Sequence, residues 1–142
     1  MIISEIMNHS VVSCSPDESV SHAARLMSRY NVGSLPVCSA DGHLRGVITD
    51  RDIVLRCIAE GSDPEVTPVR ELMTRSVITA SPEDDISVVA EQMGEGQIRR
   101  VPVTRCGKVV GIVSLGDLAQ RKACDMEAAR ALFEISSNVR KR

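Results

Sequence analysis

Aromatic side chains are almost absent from this chain of 142 residues, which has one tyrosine, one phenylalanine and no tryptophan. Proteins that bind single-stranded nucleic acid stack bases on aromatic platforms, and Tyr30 and Phe133 supply too few of them. The core must therefore be built from aliphatic residues and methionine, and hydrophobic residues make up 43% of the sequence. That supply is enough for one compact domain or two closely packed half-domains.

Long apolar runs and a basic field are also missing. No stretch approaches the ~20 apolar residues that cross a bilayer, and we expect no secretory signal. The formal net charge of −2 comes from mixed signs, so the counterion release that drives nucleic-acid binding has no clustered source. The basic tail, residues 140–142, is interpreted as a solvated terminus. We predict a soluble protein without membrane or nucleic-acid partners.

Cysteines are present but scattered, and none forms a CxxC pair: they are Cys14, Cys38, Cys57, Cys106 and Cys124. Their odd number and the expected absence of a secretory signal predict reduced thiols and a cytoplasmic protein. The three histidines, His9, His22 and His43, have no ligand spacing with these cysteines, so we predict no metal site. No nucleophile motif or phosphate loop is found, and we predict no enzymatic activity.

The chain repeats itself at an offset of 66 residues. Matching residue types include Met7 with Met73, Ser15-Pro16 with Ser81-Pro82, Met27 with Met93, and Pro36-Val37 with Pro102-Val103. The second copy then loses one residue near the turn at 38–41, where turn-forming residues tolerate insertion. Beyond that point Gly46–Thr49 matches Gly111–Ser114. Agreement over this length predicts an internal duplication.

Both copies predict the same order of elements, β-α-β-β-α. The first helix of each copy carries apolar residues at helical spacing, and two β-rich runs joined by a glycine-containing turn predict a hairpin. The predicted first-copy elements are a strand at Val11–Ser13, the hairpin Ser34–Cys38 with Leu44–Thr49, and a second helix at Arg51–Ala59. Those of the second copy are a strand at Val77–Thr79, the hairpin Arg100–Thr104 with Val109–Ser114, and a second helix at Gly116–Ala123.

We divide the chain into a first repeat over residues 1–62, a linker over 63–68, a second repeat over 69–123, and a C-terminal helix with basic tail over 124–142. Apolar residues at helical spacing predict that this last helix packs on the module or on a partner: Met126, Ala129, Leu132 and Phe133. Phe133 is interpreted as a core or interface residue.

Each predicted hairpin runs directly into a helix through the patterns Thr49-x-x-Asp52 and Ser114-x-x-Asp117. One interpretation is a capping box, in which these side chains satisfy free helix N–H groups. The other is a ligand site, because a helix start attracts phosphate and a carboxylate one turn on can accept hydrogen bonds from ribose hydroxyls. The two interpretations are compatible, since a side chain can cap the empty state and bind when ligand arrives.

These motifs resemble the cystathionine β-synthase (CBS) domain pair, or Bateman module, over residues of about 4 to 122. The resemblance rests on stretches that match in order and spacing: Met7–Pro16, Asn31–Val37, Gly46–Ile53, Gln97–Val103 and Gly111–Leu118. It implies an α+β fold of two CBS repeats that pack through their sheets with pseudo-twofold symmetry, followed by a C-terminal helix. It also implies a non-catalytic regulatory sensor that binds AMP, ADP, ATP or S-adenosylmethionine in clefts between the repeats.

By position in the family motifs, Thr49 and Asp52 would serve one cleft, and Ser114 and Asp117 the other. The hydroxyls would face phosphate and the aspartates ribose. Adenine would rest on aliphatic walls and backbone groups near Val12, Pro36 and Val37 in one cleft, and near Ile78, Val101 and Pro102 in the other.

The two copies differ where an anionic ligand would bind. Asp50 and Arg51 of the first copy correspond to Leu115 and Gly116, and Arg99 and Arg100 of the second copy correspond to Gly33 and Ser34. Arginines are good anion partners, so we expect Arg51, Arg99 and Arg100 to make the sites unequal, with one preferred nucleotide per chain. An open alternative is that Arg99 and Arg100 are solvated or paired with Glu91 or Glu95.

The resemblance further implies a homodimer, in which ligand biases an effector protein or self-association through differential affinity for two states. A different class of function is an interaction or dimerisation module whose clefts are empty. A redox-responsive protein using the five thiols is a third possibility, and an unrecognised enzymatic activity ranks last.

Overall fold

A computed structural model describes residues 1–120 and 125–140. The helices and strands follow in chain order: α1 (Val20–Tyr30), β1 (Ser34–Cys38), β2 (Leu44–Thr49), α2 (Asp50–Ile53), α3 (Ile86–Gly96), β3 (Arg100–Arg105), β4 (Lys108–Ser114), α4 (Leu115–Ala119) and α5 (Asp125–Arg140). Short 3₁₀ turns lie at Ile3–Glu5 and Val69–Glu71. The predicted α+β class, the two small hairpin sheets and the C-terminal helix are confirmed.

The polypeptide forms two compact units that do not coincide with the two copies in the sequence. Unit 1 contains Met1–Val11 together with Ile78–Arg142, and unit 2 contains Val12–Val77. The predicted division at residues 62–69 follows the duplication. In the structure, residues 1–11 of the first copy belong to unit 1, and residues 69–77 of the second copy belong to unit 2. These two stretches are called the leading segments of the copies.

Backbone hydrogen bonds explain why the leading segment of each copy belongs to the compact unit that contains the other copy's hairpin. In unit 1, Asn8 pairs with Ile112 of β4 through N–H···O distances of 2.8 and 3.0 Å. In unit 2, Thr74 pairs with Val47 of β2 through distances of 2.9 and 3.0 Å. Each leading segment therefore adds to the free edge of a hairpin strand and satisfies its backbone groups.

The hairpins lie where the β-rich runs predict them. In β1–β2, Ser34 is opposite Thr49, and in β3–β4, Arg100 is opposite Ser114. The turn of the second hairpin is Cys106-Gly107, with φ of 53° and 79°, the left-handed backbone of a tight two-residue turn. The first hairpin has a longer turn, so the single-residue loss in the second copy shortens this connection.

The strands predicted at Val11–Ser13 and Val77–Thr79 are wrong. The structure has only a parallel bridge from Cys14 to Val37 in unit 2 and one from Ala80 to Val103 in unit 1. A serine and a proline follow each bridging residue, and proline has no N–H to continue a ladder. The pairing is therefore limited to one position.

The first helix of each copy begins and ends with local signals. Ser19 caps α1 by accepting the His22 N–H at 3.1 Å, and Asp85 caps α3 by accepting the Ser87 N–H at 2.9 Å. Asn31 and Gln97 end these helices with φ of 54°. The start of α1 is also bonded by the predicted linker 63–68, because Val20 N–H donates to Thr67 O at 2.9 Å.

The second helix of each copy begins one residue earlier than predicted. α2 ends at Ile53 and continues as a wider π turn over Val54–Ile58, closed by Ala59 N–H donating to Val54 O at 2.9 Å. α4 covers Leu115–Ala119 rather than Gly116–Ala123, and residues 121–123 of that prediction lie outside the described chain.

Each unit has its own aliphatic core. In unit 1 the fully buried side chains include Ile3, Val89, Met93, Val101, Val103, Val113 and Leu118. In unit 2 they include Val20, Leu35, Val37, Ile48 and Val69. Ile3 and Val69 come from the exchanged leading segments, so these segments supply core volume as well as backbone bonds.

Helix α5 packs on α3 and α4 of unit 1, as a helix docked on the module, but through a different face from the predicted one. Its buried residues are Ala128, Ala131 and Ile135, whereas Met126 and Phe133 are 81% and 68% exposed. A side chain on Gly94 of α3 would meet the Ala131 backbone at 3.5 Å. The helices approach closely at that glycine, so the small Ala131 faces α3 there, whereas Met126 and Phe133 point outward.

Candidate ligand-binding sites

The start of α2 at residues 49–52 is called the unit 2 tip, and the start of α4 at residues 114–117 is called the unit 1 tip. The unit 2 tip is a reciprocal capping box. Thr49 Oγ1 accepts the Asp52 N–H at 3.0 Å, and Asp52 Oδ2 accepts the Thr49 N–H at 2.9 Å. Asp52 Oδ1 lies 3.8 Å from Arg56 Nε. Arg51 is exposed in the first turn. The capping interpretation of this motif is confirmed.

The unit 1 helix tip has the same geometry. Ser114 Oγ accepts the Asp117 N–H at 3.1 Å, and Asp117 Oδ2 accepts the Ser114 N–H at 2.8 Å. The hydroxyl proton of Ser114, like that of Thr49, is not used by the cap because the oxygen is the acceptor. Each tip therefore retains a hydroxyl donor and a carboxylate Oδ1 with acceptor capacity.

The two arginines of the second copy lie beside the unit 1 tip. Arg100 is opposite Ser114 in the hairpin register, and Leu115 N–H donates to Arg99 O at 2.7 Å. Both arginines are exposed, and within the described residues neither forms an ion pair with Glu91 or Glu95. The positive charge next to the Ser114 hydroxyl is thus available to an anion.

The residues predicted to hold a base divide into two groups. The side chains of Val37 and Val101 are fully buried in the cores of unit 2 and unit 1, and Pro36 and Pro102 are also buried. Pro36 O and Pro102 O already accept hydrogen bonds from Cys14 and Ala80 N–H. Of the residues predicted to hold a base, only Val12 and Ile78 are half-buried and offer a side chain that a ligand can reach.

Unit 1 has a cavity of about 590 Å³ at its helix tip, within the size range of small-molecule sites. It contains three residues predicted from sequence: Arg99, Arg100 and Ser114. Asp117, Ile78, Val101 and Pro102 do not line it. The residues that sequence reasoning missed are apolar or small and come from α4 and α5: Leu115, Gly116, Ala119, Ala128, Ala129 and Leu132.

Unit 2 has a smaller, shallower hollow at the corresponding position. Its volume is about 330 Å³ and its lining residues are Asp50, Arg51, Val54 and Leu55. Only Arg51 of these was predicted as a site residue. The two tips are therefore unequal in volume, in charge and in the elements that surround them.

The thiols of the described chain are free and differ in exposure. Burial, with smaller effects from Glu18 and Cys38, raises the pKa of the Cys14 thiol to about 12. Burial also raises the pKa of Cys38, and Cys106 is exposed in the hairpin turn.

We expect iodoacetamide at about pH 8 to label Cys106 quickly and Cys14 only after denaturation, because the thiolate is the nucleophile. A raised pKa leaves Cys14 protonated through the usual thiol range near 8.5, so its labelling in the folded protein should not increase as pH passes that value. Peptide mass spectrometry with and without urea measures both rates. Equal labelling of the two cysteines in folded protein would contradict the burial of Cys14.

Two features are absent from the described residues: a cluster of metal ligands and a helix that could span a membrane. Residues 1–120 and 125–140 contain no group of three or more His, Cys, Asp or Glu side chains that could hold a metal ion. None of the helices in this part of the chain is both long and apolar enough to traverse a bilayer.

The duplicated hairpin-helix tips and the two units define a protein of two repeated α+β domains. A family model for the CBS domain matches residues 3–58 and 69–123, and this chain belongs to that family. The match covers both tips and ends before α5.

Three similar proteins place the chain among CBS domain pairs. Hypoxic response protein 1 from Mycobacterium tuberculosis is 37% identical to this chain, over 82% of this chain and 81% of its own length. The crystal structure of hypoxic response protein I, with two coordinated zinc ions, has a TM-score of 0.80 and 35% identity. That match covers 85% of this chain and 98% of the other. PAE2072 from Pyrobaculum aerophilum, complexed with AMP, has a TM-score of 0.80 and 28% identity, covering 91% and 98% of the two chains. The CBS domain pair of MJ0100, in complex with 5′-methylthioadenosine and S-adenosyl-L-methionine, has a TM-score of 0.76 and 30% identity, covering 84% and 94%.

Proposed function

We propose that this protein is a non-catalytic regulatory module that binds an adenine nucleotide or an adenosyl ligand at its helix tips. The observation that carries the proposal is the pair of matched tips, each with a hydroxyl proton and a carboxylate Oδ1 that the cap does not use; Asp52 Oδ1 also lies 3.8 Å from Arg56 Nε. Support also comes from PAE2072 and MJ0100, whose CBS domain pairs are complexed with AMP and with S-adenosyl-L-methionine.

The tip geometry suits a sugar phosphate. The Thr49 or Ser114 hydroxyl can donate to a phosphate oxygen while its own oxygen still accepts a helix N–H. Asp52 or Asp117 can accept from a ribose hydroxyl through Oδ1 while Oδ2 keeps the cap at 2.9 or 2.8 Å. Capping and ligand binding then use different atoms of the same side chains, so binding does not require the helix start to be rebuilt.

The unit 1 tip is the preferred site in this proposal. Its cavity of about 590 Å³ exceeds the hollow of about 330 Å³ in unit 2. It presents Arg99 and Arg100, and charge-assisted hydrogen bonds from arginine to phosphate are strong and often bidentate. We therefore expect each chain to bind preferentially one molecule of AMP, ADP, ATP or S-adenosylmethionine.

The chain acts, in this proposal, in the cytoplasm and as a homodimer, and ligand binding biases an effector protein. An interaction module with empty sites is the second candidate, favoured by the exposed apolar residues of α5, Met126 and Phe133. It differs from the first in predicting no response to adenosyl ligands.

Thermal unfolding should distinguish these candidates. With AMP, ADP, ATP or S-adenosylmethionine at about 100 times its dissociation constant, a binding protein gains about 2.7 kcal/mol of stability, which shifts Tm by several degrees. NAD serves as a comparison ligand in the same series. If none of these ligands shifts Tm, the interaction module is the better description.

Substitution of the two aspartates assigns the sites. Asp117→Ala is expected to weaken nucleotide binding about tenfold or more, and Asp52→Ala is expected to have a smaller effect because unit 2 is the less favourable tip. Each change also removes the carboxylate that accepts the Thr49 or Ser114 N–H, and the loss of one such hydrogen bond costs about 0.5–1.5 kcal/mol of stability. Asp85→Ala is the matched control, because Asp85 caps α3 without belonging to a tip. Calorimetric titration measures the affinities; unchanged binding by both tip variants would show that the site assignment is wrong.

A further inference from the structure

We propose that α5 is the ligand-responsive element of unit 1, because it forms a wall of the cavity that Arg99 and Arg100 also line. The proposal rests on the ligand binding proposed above and adds the element that responds to it. The ligand class is an anion with an apolar body, since the cavity joins two guanidinium groups to a largely aliphatic wall.

The α5 wall consists of Ala128, Ala129 and Leu132. Ala128 is 7% exposed and is part of the packing against unit 1, whereas Ala129 is exposed and Leu132 is 46% exposed. The wall therefore has apolar surface that a ligand would cover. Covering it contributes free energy only while α5 is docked, so the ligand distinguishes the docked helix from the released one.

The corresponding place in unit 2 shows what unit 1 has changed. Gly116 and Ala119 of unit 1 stand where unit 2 has Arg51 and Val54, by the same register that aligns the two copies. Both differences remove side-chain volume. A side chain at Gly116 would meet only Ser114 Oγ, at 3.6 Å, so the first turn of α4 is open on the cavity side.

The same register places Arg99 and Arg100 where unit 2 has Gly33 and Ser34. Unit 1 thus combines less volume at the helix, more positive charge at the strand and an additional wall from α5. These differences act together at one place, and the outcome is a cavity rather than the shallow hollow of unit 2. A helix that only stabilised the fold would require none of them.

The way α5 is held allows such a response. Among residues 126–137 its buried side chains are Ala128, Ala131 and Ile135, two of which are alanines that bury little area. Its outer face carries the exposed Met126 and Phe133. Occupancy of the cavity would then determine whether this apolar outer face is presented in a fixed position.

Linkage makes the proposal quantitative. If docked α5 tightens the ligand about tenfold, saturating ligand must favour docking by the same factor. We expect saturating AMP or ATP to slow amide hydrogen exchange of residues 126–137 about tenfold, in the intact chain, with little change in β1 and β2. This measurement uses the unmodified protein and does not depend on any variant folding.

Filling the cavity from α5 provides the second measurement. Ala129→Leu adds volume to the cavity wall and is expected to weaken AMP or ATP binding about tenfold. Ser136→Leu is the matched control, because Ser136 is exposed on the same helix and does not line the cavity. Calorimetry reports the affinity, and circular dichroism verifies that both variants retain their helix content.

The outcomes are distinguishable. Slower exchange in α5 together with weaker binding by Ala129→Leu supports the proposal. Nucleotide binding that leaves α5 exchange unchanged and is equal in both variants overturns it, while the proposed function stands. If the unmodified chain binds none of the adenosyl ligands, both proposals are overturned.

Discussion

Replacing Ile3 by alanine should loosen the hairpin of the second copy, β3–β4, although Ile3 belongs to the first copy in the sequence. Ile3 is fully buried in the core of unit 1, and its N–H donates to Asp84 O at 2.9 Å. Truncating a buried isoleucine to alanine removes transferred area and leaves a cavity, at a cost of about 2–5 kcal/mol. The cost should fall on unit 1.

The duplication provides a reciprocal variant. Val69 occupies the position of Ile3 in the second copy, is fully buried in unit 2, and donates its N–H to Glu18 O at 2.8 Å. Val69→Ala should loosen β1–β2 and leave β3–β4 protected. Its cost should be smaller than that of Ile3→Ala because fewer carbon atoms are removed.

Native-state amide exchange reads out the two hairpins separately. We expect Ile3→Ala to accelerate exchange in residues 100–114 and Val69→Ala to accelerate it in residues 34–49. The opposite assignment, with each variant loosening its own copy, would show that the leading segments are not exchanged.

The second large effect is expected at Gly46, where a Cβ atom would lie 2.6 Å from the Thr74 carbonyl oxygen. That oxygen accepts the Val47 N–H at 3.0 Å, and the contact is backbone against backbone. Neither partner can rotate away, so Gly46→Ala must separate the Thr74 segment from β2. Overpacking of this kind costs about 1–3 kcal/mol, and loss of the pairing adds about 0.5–1.5 kcal/mol for each hydrogen bond.

Alanine substitutions at Gly111 and Gly116 are expected to cost less stability than Gly46→Ala, in that order. A Cβ at Gly111 would first meet Met7 Sδ, at 2.7 Å, and a methionine side chain can move, so Gly111→Ala should cost less than Gly46→Ala. Gly116 lies in α4 with open space around it, and Gly116→Ala should be neutral or stabilising by up to about 1 kcal/mol. Urea denaturation of the three variants measures the order; a cost at Gly46 no larger than at Gly116 would contradict the close approach.

Several local features were predictable because a few neighbouring residues decide them. The β1 and β2 ranges are identical to those predicted, since alternating β-rich residues end at turn residues on both sides. Ser19 and Asp85 cap α1 and α3, and serine and aspartate are residue types that favour this position. The capping boxes at both tips follow directly from the spacing of Ser or Thr and Asp.

The candidate site was predictable in part. The alignment of the two copies identified Arg99 and Arg100 as an asymmetry, and the hairpin register places them beside Ser114. Val37 and Val101, however, are core residues whose side chains a ligand does not reach. The cavity wall from α5 was not predicted as part of a site. Helical spacing indicated a packing face of Met126, Ala129, Leu132 and Phe133; Ala129 and Leu132 line the cavity, whereas Met126 and Phe133 are exposed.

The sequence by itself determined the duplication, the order of elements, the capped tips and the difference in charge between the two tips. The order of elements and the capped tips depend on residue types within a few positions of one another, and the duplication and the charge difference follow from comparing the two copies residue by residue. Tertiary structure alone decided which leading segment joins which hairpin, which face of α5 is buried, and where a cavity remains. Each of these depends on which partners, far apart in the chain, come into contact. Backbone hydrogen bonding at strand edges and the close approach of helices at glycine and alanine decide between the possible partners. The local periodicity of the sequence does not predict that outcome.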